Sequence, residues 1–256
     1  MEPEPEPCGG LYPAGTNHRQ ARLIIFPKSW TMPFGTGLPK YIPSLTYQPQ
    51  MVVLDVVRDT QDKLVVDLGA GGRKLAPWIE TVDLVPTPNT THVCDFVRGQ
   101  TPYADDTVDI VIATGVLEHV EDDRLFIAEI RRITKPGGLL HVEMPFLQQY
   151  HDDPSDYRRL TLPGLRRFLD DAGFDIVQSG VHIGPTVTLL TLTSYWINLV
   201  FQGRTLLGRA LATSCFVLFS VIAWPLRYLD IWLIRKPGAH RLAFGVYATA
   251  KKRIPL

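Results

Sequence analysis

An apolar strand that runs directly into a glycine-rich turn is the feature that most constrains the fold of this 256-residue chain. Residues 65–73 read Val-Val-Asp-Leu-Gly-Ala-Gly-Gly-Arg. Glycines let the backbone approach a ligand closely, and the N–H groups of such a turn can meet the ligand's polar groups. The dinucleotide-binding fingerprint would need glycine or alanine where this chain has Lys74. The carboxylate of Asp67 also disfavours a pyrophosphate and suits a cationic ligand that carries an amino acid.

Further short apolar segments follow this strand and end in Asp, Gly or Pro, as expected for parallel strands buried on both faces. Strands are predicted at 64–66, 81–82, 92–93, 108–113, 138–144, 174–180 and 242–250. Helices are predicted at 51–58, 121–134 and 163–172, and a short helix interrupted by Pro77 is expected after the glycine turn. The alternation of strands and helices predicts an α/β fold built on an open sheet.

Composition divides the chain into four parts. They are a disordered tail and aromatic-rich arm (1–50), the α/β core (51–180), an apolar helical insertion (181–241) and the last core strand with the C-terminus (242–256). Within the insertion, residues 181–203 and 210–226 contain no Asp, Glu, Lys or Arg. Each segment is near the ~20 residues that a membrane span needs, and basic and aromatic residues flank them. Peripheral membrane contact is one interpretation, and a lid over the sheet or a homodimer interface is the alternative.

The charges exclude some classes of partner. The 26 Lys and Arg residues equal the 26 Asp and Glu residues, so no overall field favours a nucleic acid. The acidic, Pro-rich N-terminus lacks the basic and apolar regions of a secretory signal. Three scattered cysteines suit neither a disulfide framework nor a Cys-rich zinc site. We therefore expect a cytoplasmic location, with the insertion as the segment that would reach a membrane.

Acidic residues mark the ends of the first three predicted strands. Asp83 follows the second strand, where a carboxylate can accept hydrogen bonds from ribose hydroxyls. Asp95 follows the third strand and could accept from an adenine amino group, while the neighbouring Phe96 covers the ring. Together with Asp67, these residues predict a nucleoside-containing ligand at the carboxyl edge of the sheet.

In this order, the segments resemble the class I S-adenosylmethionine-dependent methyltransferases of the type 11 kind. The resemblance lies in residues 67–72, 82–83, 95–96, 108–120 (with Leu-Glu-His-Val) and 131–138, and it covers roughly residues 60–180 plus the last strand. A further block, 151–161, is similar to members associated with bacterial polysaccharide or glycolipid gene clusters. The resemblance implies a Rossmann-like, seven-stranded, mostly parallel sheet whose last strand is antiparallel, with the insertion before it. It also implies S-adenosyl-L-methionine as cofactor.

The resemblance also implies roles for individual residues. It places Asp67, Gly69 and Gly71 at the methionine portion of the cofactor, Asp83 at the ribose, Asp95 with Phe96 at the adenine, and Thr114, Leu117 and His119 beneath the sulfonium. The shortened helix and Pro77 after the glycine turn depart from the family pattern.

Two histidines are candidate general bases, because an imidazole suits proton transfer near neutral pH. His119 follows the fourth strand, and His151 lies in the loop after the fifth strand, which should face the substrate. In that loop Asp156 or Tyr157 could orient the base or the substrate, and Arg159 could bind an anionic group. The alternative is an internal network of these three residues that fixes the loop, with Thr161 capping the next helix. No second ligand cluster supports a metal site at 151–153, so no metal is predicted.

The sequence therefore predicts methyl transfer to an oxygen, less readily a nitrogen, of a small-molecule, glycan or lipid-linked acceptor. One alternative is a non-catalytic, cofactor-binding relative that acts as a partner subunit. Another is a nicotinamide-dependent oxidoreductase, against which Lys74 and the Leu-Glu-His-Val motif count.

Overall fold

A computed structural model of the chain describes residues 52–96, 100–151, 155–201 and 205–254. Its seven strands are β1 Val65–Leu68, β2 Glu80–Asp83, β3 His92–Val93, β4 Val108–Thr114, β5 Thr134–Pro145, β6 Phe174–Ile183 and β7 Gly245–Lys252. They form one sheet in the order β3-β2-β1-β4-β5-β7-β6. Only β7 runs antiparallel to its neighbours β5 and β6. The expected α/β fold, with a seven-stranded sheet and an antiparallel last strand, is confirmed.

The helices cover both faces of this sheet and extend beyond it. They are α1 Val52–Val56, α2 Asp123–Ile133, α3 Leu162–Asp171, α4 Pro185–Phe201, α5 Leu206–Ala223 and α6 Asp230–Leu233, with 3-10 segments at Leu117–His119, Trp224–Leu229 and Ala239–Arg241. The first turn of α2 is capped by Asp122, and that of α3 by Thr161, whose Oγ1 accepts a hydrogen bond from the N–H of Gly164. The helices predicted at 121–134 and 163–172, and the cap at Thr161, are confirmed.

The core lies on both sides of the sheet. One face is covered by α2 and α3, which bury Phe126, Ile130, Ile133, Leu165 and Leu169. The other face carries a smaller cluster of Val53, Val57, Val65, Ile79, Ile110 and Ile112, to which α1 contributes. This double coverage explains why the central strands are continuously apolar. It leaves their carboxyl ends as the accessible edge, where ligands bind in open α/β sheets.

The short helix expected after the glycine turn is wrong, because residues 73–79 form turns and bends. Gly69, Gly71 and Gly72 all have positive φ, at 68°, 58° and 84°. Three such residues within four positions direct the chain away from a right-handed helix. Pro77, which lacks a backbone N–H, would also interrupt a helix that began at residues 73–76.

The boundary of the insertion also differs from the expectation. β6 continues to Ile183, because Val181 pairs with Val246 and Ile183 with Gly245. The helical insertion therefore begins at Pro185 rather than at 181, and the last strand begins at residue 245 rather than at 242. The predicted tail and arm at 1–50 lie outside the described residues.

Candidate active site

The charged side chains of Asp67 and Arg73 form an ion pair at the glycine turn after β1. The side chain of Asp67 is fully buried, and Nη2 of Arg73 lies 3.1 and 3.0 Å from its two oxygens. The same nitrogen donates to Oγ1 of Thr114 at the end of β4. Burial raises the pKa of Asp67, although the guanidinium of Arg73 opposes that rise. The buried carboxylate of Asp67 is thus already paired with a cation, the guanidinium of Arg73.

Asp83 lies next to this turn, as the sequence predicts. Its Oδ2 accepts a hydrogen bond from the N–H of Gly71 at 2.7 Å, and its Oδ1 accepts from the N–H of Val85 at 3.0 Å. A Cβ added to Gly71 would meet no atom within 4 Å, so space is open beside the turn. A Cβ on Gly69 would instead lie 2.4 Å from Cγ2 of Val116. Gly69 is therefore needed for packing, whereas Gly71 borders the space for a ligand.

Two of the residues assigned to the cofactor lie in the core. Phe96 is only 7 % exposed, and its ring packs against that of Phe126 with centroids 5.6 Å apart. Leu117 is 1 % exposed within the same cluster. Little of either side chain is left to cover a ligand. Asp95 is half-buried after β3, and its contact with adenine stays a prediction.

A cleft of about 160 Å³ opens at the carboxyl ends of β4 and β5, next to the glycine turn. It is lined by Arg73, Thr114, Gly115, Glu118, Glu143, Met144, Pro145, Gln148, His182, Ile183, Phe244 and Gly245. Thr114 is the predicted site residue that the structure brings to this cleft. The remaining wall comes from the ends of β6 and β7, which sequence reasoning did not connect with the site.

Glu143 and His182 form a buried pair in the wall of the cleft. Oε2 of Glu143 lies 3.9 Å from Nε2 of His182, and its Oε1 lies 3.3 Å from Nε2 of His141. Burial opposes ionisation of Glu143, but the hydrogen bond from His141 and the charges of both histidines and Arg73 lower its pKa overall. Sequence reasoning missed Glu143, although His141 and Glu143 share one face of a strand and end at the ligand-binding edge.

His182 is the more completely buried partner of this pair. Burial lowers its pKa, because it disfavours the imidazolium, and the nearby carboxylate of Glu143 opposes the change. Its Nδ1 has no hydrogen-bond partner among the described residues. A neutral imidazole beside a carboxylate is chemically suited to accept a proton from a bound hydroxyl.

The two predicted general bases, His119 and His151, contact each other beside the cleft. The rings of His119 and His151 meet edge to face with centroids 5.0 Å apart, and neither lines the cleft in the described structure. Glu118, which does line the cleft, lies next to His119, with Oε1 3.8 Å from Nε2. Burial lowers the pKa of His151, and the adjacent Asp156 opposes this. Their role as general bases stays a prediction.

The loop after β5 is held by the internal network that the sequence left as an alternative. Arg159 donates to both oxygens of Asp156 and to the carbonyl oxygens of Gln148 and Gln149. In this arrangement the donors of the guanidinium are used within the loop, and substrate contacts of Asp156 and Arg159 stay a prediction. Tyr157 is 51 % exposed and is the one of the three predicted substrate residues with a free surface.

Comparisons with known proteins agree with this geometry. Residues 66–142 match the family model of a methyltransferase domain. A probable S-adenosylmethionine-dependent methyltransferase of Mycobacterium tuberculosis is 33 % identical over 91 residues, 33 % of this chain and 33 % of that protein. An uncharacterized methyltransferase of Mycobacterium marinum is 32 % identical over 94 residues, 30 % of this chain and 37 % of that protein. The chain thus spans about a third of the length of these curated relatives.

A solved structure, an S-adenosylmethionine-dependent methyltransferase from Mesorhizobium loti, aligns with a TM-score of 0.46 at 12 % identity, covering 78 % of this chain and 96 % of that chain. The matched residues include Asp67, Asp83 and the Leu-Glu-His-Val motif. Residues 66–142 are therefore similar to the methyltransferase domain of S-adenosylmethionine-dependent methyltransferases.

Proposed function

We propose that the chain binds S-adenosylmethionine at the glycine turn after β1 and transfers its methyl group to an acceptor in the adjacent cleft. The observation that carries this proposal is the buried carboxylate of Asp67 beside the open space at Gly71. The methionine portion of the cofactor carries an ammonium group, which fits a buried carboxylate. Arg73 occupies that carboxylate here, but its side chain is 40 % exposed and can move aside when the ammonium binds.

The residues of the chain would mainly bind and orient the two reactants. The sulfonium of the cofactor supplies a methyl group that is already activated for transfer. Asp83 fixes the glycine turn through Gly71 and has further lone pairs for ribose hydroxyls. The walls of the cleft would exclude water and hold the acceptor atom in line with the methyl group.

The lining of the cleft favours an acceptor with hydroxyl groups. Glu118, Glu143 and His182 offer hydrogen-bond acceptors, and Arg73 is the only cationic side chain among the described lining residues. Such a surface suits an alcohol or an amine better than a phosphate or a carboxylate. We therefore propose transfer to an oxygen, with nitrogen as the second candidate, of a small-molecule, glycan or lipid-linked acceptor.

Calorimetric titration with S-adenosylhomocysteine and NADH tests the cofactor. Asp83→Ala should weaken binding of S-adenosylhomocysteine by ~10-fold or more, about 1.4 kcal/mol, because the turn loses its anchor and the ribose loses an acceptor. Asp62→Ala, an exposed aspartate at the opposite end of β1, is the matched control and should bind like wild type. Folded protein that binds NADH but not S-adenosylhomocysteine would contradict the assignment and favour the oxidoreductase.

The insertion adds a second part to the proposal, contact with a lipid surface. Helices α4 and α5 pack against each other, and both ends of this hairpin are attached to the sheet through β6 and β7. Large apolar side chains cover its outer surface: Leu189, Leu192, Trp196, Leu199, Val200, Phe201, Leu207, Leu211, Leu218, Val221 and Ile222 are 37–79 % exposed. Exposed apolar surface on this scale is uncommon on soluble monomers and indicates an interaction face.

The charges of the insertion favour a membrane over a second protein copy. Residues 181–241 contain six Lys and Arg residues and a single acid, Asp230, which is fully buried. Lys236 lies over the ring of Trp232 at 3.9 Å, a pairing of cation and aromatic side chain suited to a membrane interface. By length and composition the stretch Ala210–Leu233 could cross a membrane, a test that core helices of soluble proteins also pass, yet only 22 % of its apolar window is buried.

Flotation with liposomes of phosphatidylcholine and an anionic phospholipid tests this contact. The wild type should float with the vesicles, and the double variant Trp196→Ser, Leu199→Ser should lose at least ~5-fold of its bound fraction, since each side chain contributes roughly 1–3 kcal/mol when buried. Val177→Ser on β6 also removes an exposed apolar side chain and should float normally. Wild-type protein that stays in solution would contradict membrane contact, and a dimer in sedimentation would favour a protein interface.

A further inference from the structure

We propose that Glu118, His119 and His151 form a binding site for one divalent transition-metal ion beside the acceptor cleft. One ligand atom from each of the three side chains lies within 4.8 Å of the others. Two of the residues come from the 3-10 segment after β4, and the third comes from the loop after β5. The sequence predicts no metal here, because a separation of more than thirty residues hides the cluster.

The contacts of His119 define which of its nitrogens is available. Nδ1 contacts the carbonyl oxygen of Ser155, and a carbonyl can only accept a hydrogen bond. Nδ1 therefore carries the proton, and in the neutral ring Nε2 carries a lone pair. That lone pair lies 3.8 Å from Oε1 of Glu118, too far for a hydrogen bond. Two electron-rich atoms held at this separation are the arrangement that a cation between them would stabilise.

His151 has a matching environment. Its Nδ1 lies 3.3 Å from Oδ2 of Asp156, and the same oxygen accepts the backbone N–H of His151 at 2.9 Å. Nη2 of Arg159 is also 3.4 Å from Nδ1, but it already donates to Asp156 and to the carbonyl of Gln149. A carboxylate on Nδ1 with Nε2 left for an ion is the usual second-shell arrangement of a metal-binding histidine.

Glu118 supplies the charge of the site. It is 2 % exposed, and its Oε2 has no hydrogen-bond partner among the described residues. A buried carboxylate oxygen without a partner is costly unless a cation or a donor from a ligand meets it. Asp156 balances the charge of Arg159, so the cluster with neutral histidines keeps one negative charge, that of Glu118.

Two imidazoles and one carboxylate are a common ligand set for Zn²⁺ and chemically similar divalent ions, with a further position open. Bonds of about 2.0–2.2 Å put the ligand atoms of a tetrahedral zinc site about 3.4 Å apart. The three side chains therefore need only small inward rotations to bind an ion. Glu118 also lines the cleft, so the open position would face it.

A metal ion in this position would bind an acceptor hydroxyl and lower its pKa, so that the proton leaves more readily. This consequence rests on the proposed methyl transfer, whereas binding of the ion does not. With the ion bound, His151 is a ligand and not the general base, and the pair of Glu143 and His182 in the cleft remains available as a proton acceptor.

Metal binding is measured on untagged, full-length protein stripped with a chelator. Titration with Zn²⁺ should give one site per chain, and Co²⁺ should produce the visible absorption of a nitrogen- and oxygen-ligated ion. His119→Ala and His151→Ala should each weaken binding by ~100-fold or more, and Asp156→Asn by ~10–100-fold, because it positions His151. His92→Ala, on the far edge of the sheet, is the matched control and should leave binding unchanged.

Folded wild type that binds neither Zn²⁺ nor Co²⁺ would overturn the proposal, as would binding that survives both histidine substitutions. Far-ultraviolet circular dichroism of each variant shows whether it is folded. S-adenosylhomocysteine titrated into the same samples separates the two proposals: intact binding of that ligand without metal binding contradicts the metal site alone.

Discussion

Asp67→Asn is expected to weaken the binding of S-adenosylhomocysteine by about 100-fold, or about 2.7 kcal/mol. The side chain of Asp67 is fully buried at the end of β1, so water does not screen its interaction with a bound ammonium group. Asparagine has nearly the same shape but no charge, and removing one partner of a buried charge pair costs roughly 2–5 kcal/mol. Isothermal titration calorimetry measures the change, and Asp62→Ala again serves as the control. A loss below ~3-fold would show that Asp67 does not meet the ligand.

Arg73 gives this prediction a second, independent readout. In the structure its guanidinium contacts the carboxylate that the ammonium of the ligand would need. Arg73→Met leaves Asp67 buried without a cation, so the variant should be less stable than wild type. The ammonium then supplies the missing charge, and S-adenosylhomocysteine should raise the melting temperature more in the variant than in wild type. A smaller increase would instead indicate that Arg73 itself holds the ligand.

The part of the site built from consecutive strands could be predicted from the sequence. Asp67 and Asp83 each follow a short apolar strand, and the carboxyl ends of parallel strands meet at one edge. That Asp67 and Asp83 lie close to each other beside Gly71 depends only on this local pattern and on the tight turn. The same reasoning predicted α2 and α3, because their apolar spacing and caps are local features.

The wall of the cleft could not be predicted in this way. His182 reaches the site because β6 pairs with β7, which in turn pairs with β5. That order depends on a strand about sixty residues further along the chain, and no local pattern records it. The imidazole of His182 packs directly against the backbone of Gly245, since a Cβ at position 245 would lie 2.2 Å from Cε1 of His182. The position of Arg73 was missed for a different reason, because a helix was expected where the chain turns back.

The loop after β5 shows where residue identity alone is ambiguous. Asp156 and Arg159, three residues apart, can bind a substrate or each other, and both interpretations use the same charges. The structure favours the second, because the carbonyl oxygens of Gln148 and Gln149 take the remaining donors of the guanidinium. Backbone carbonyl positions are set by the path of the loop and are not readable from the side-chain sequence.

Asp230→Ala is expected to lower the free energy of unfolding by about 2–4 kcal/mol, the largest effect on stability that we predict for one substitution. Asp230 is fully buried, and its two oxygens accept hydrogen bonds from the N–H groups of Thr186 at 2.9 Å and Val187 at 3.0 Å. Both groups belong to the first turn of α4, where a negative charge is favourable. Alanine would leave these N–H groups buried without partners, and each charge-assisted hydrogen bond contributes roughly 1.5–3 kcal/mol.

Urea denaturation followed by circular dichroism measures the loss, and Asp230→Asn should lose less because its amide oxygen still accepts. Asp171→Ala, on the exposed end of α3, is the control and should change stability by less than ~0.5 kcal/mol.

Gly184 leaves room for the capping residue from α6: a Cβ at position 184 would lie 2.3 Å from Cγ of Asp230. The carboxylate thus joins the two ends of the hairpin. Asp230 is the single acid of the insertion and is buried in this cap, so the outer surface of the hairpin carries no negative charge. A loss of stability below ~0.5 kcal/mol in Asp230→Ala would contradict the cap and this account of the hairpin.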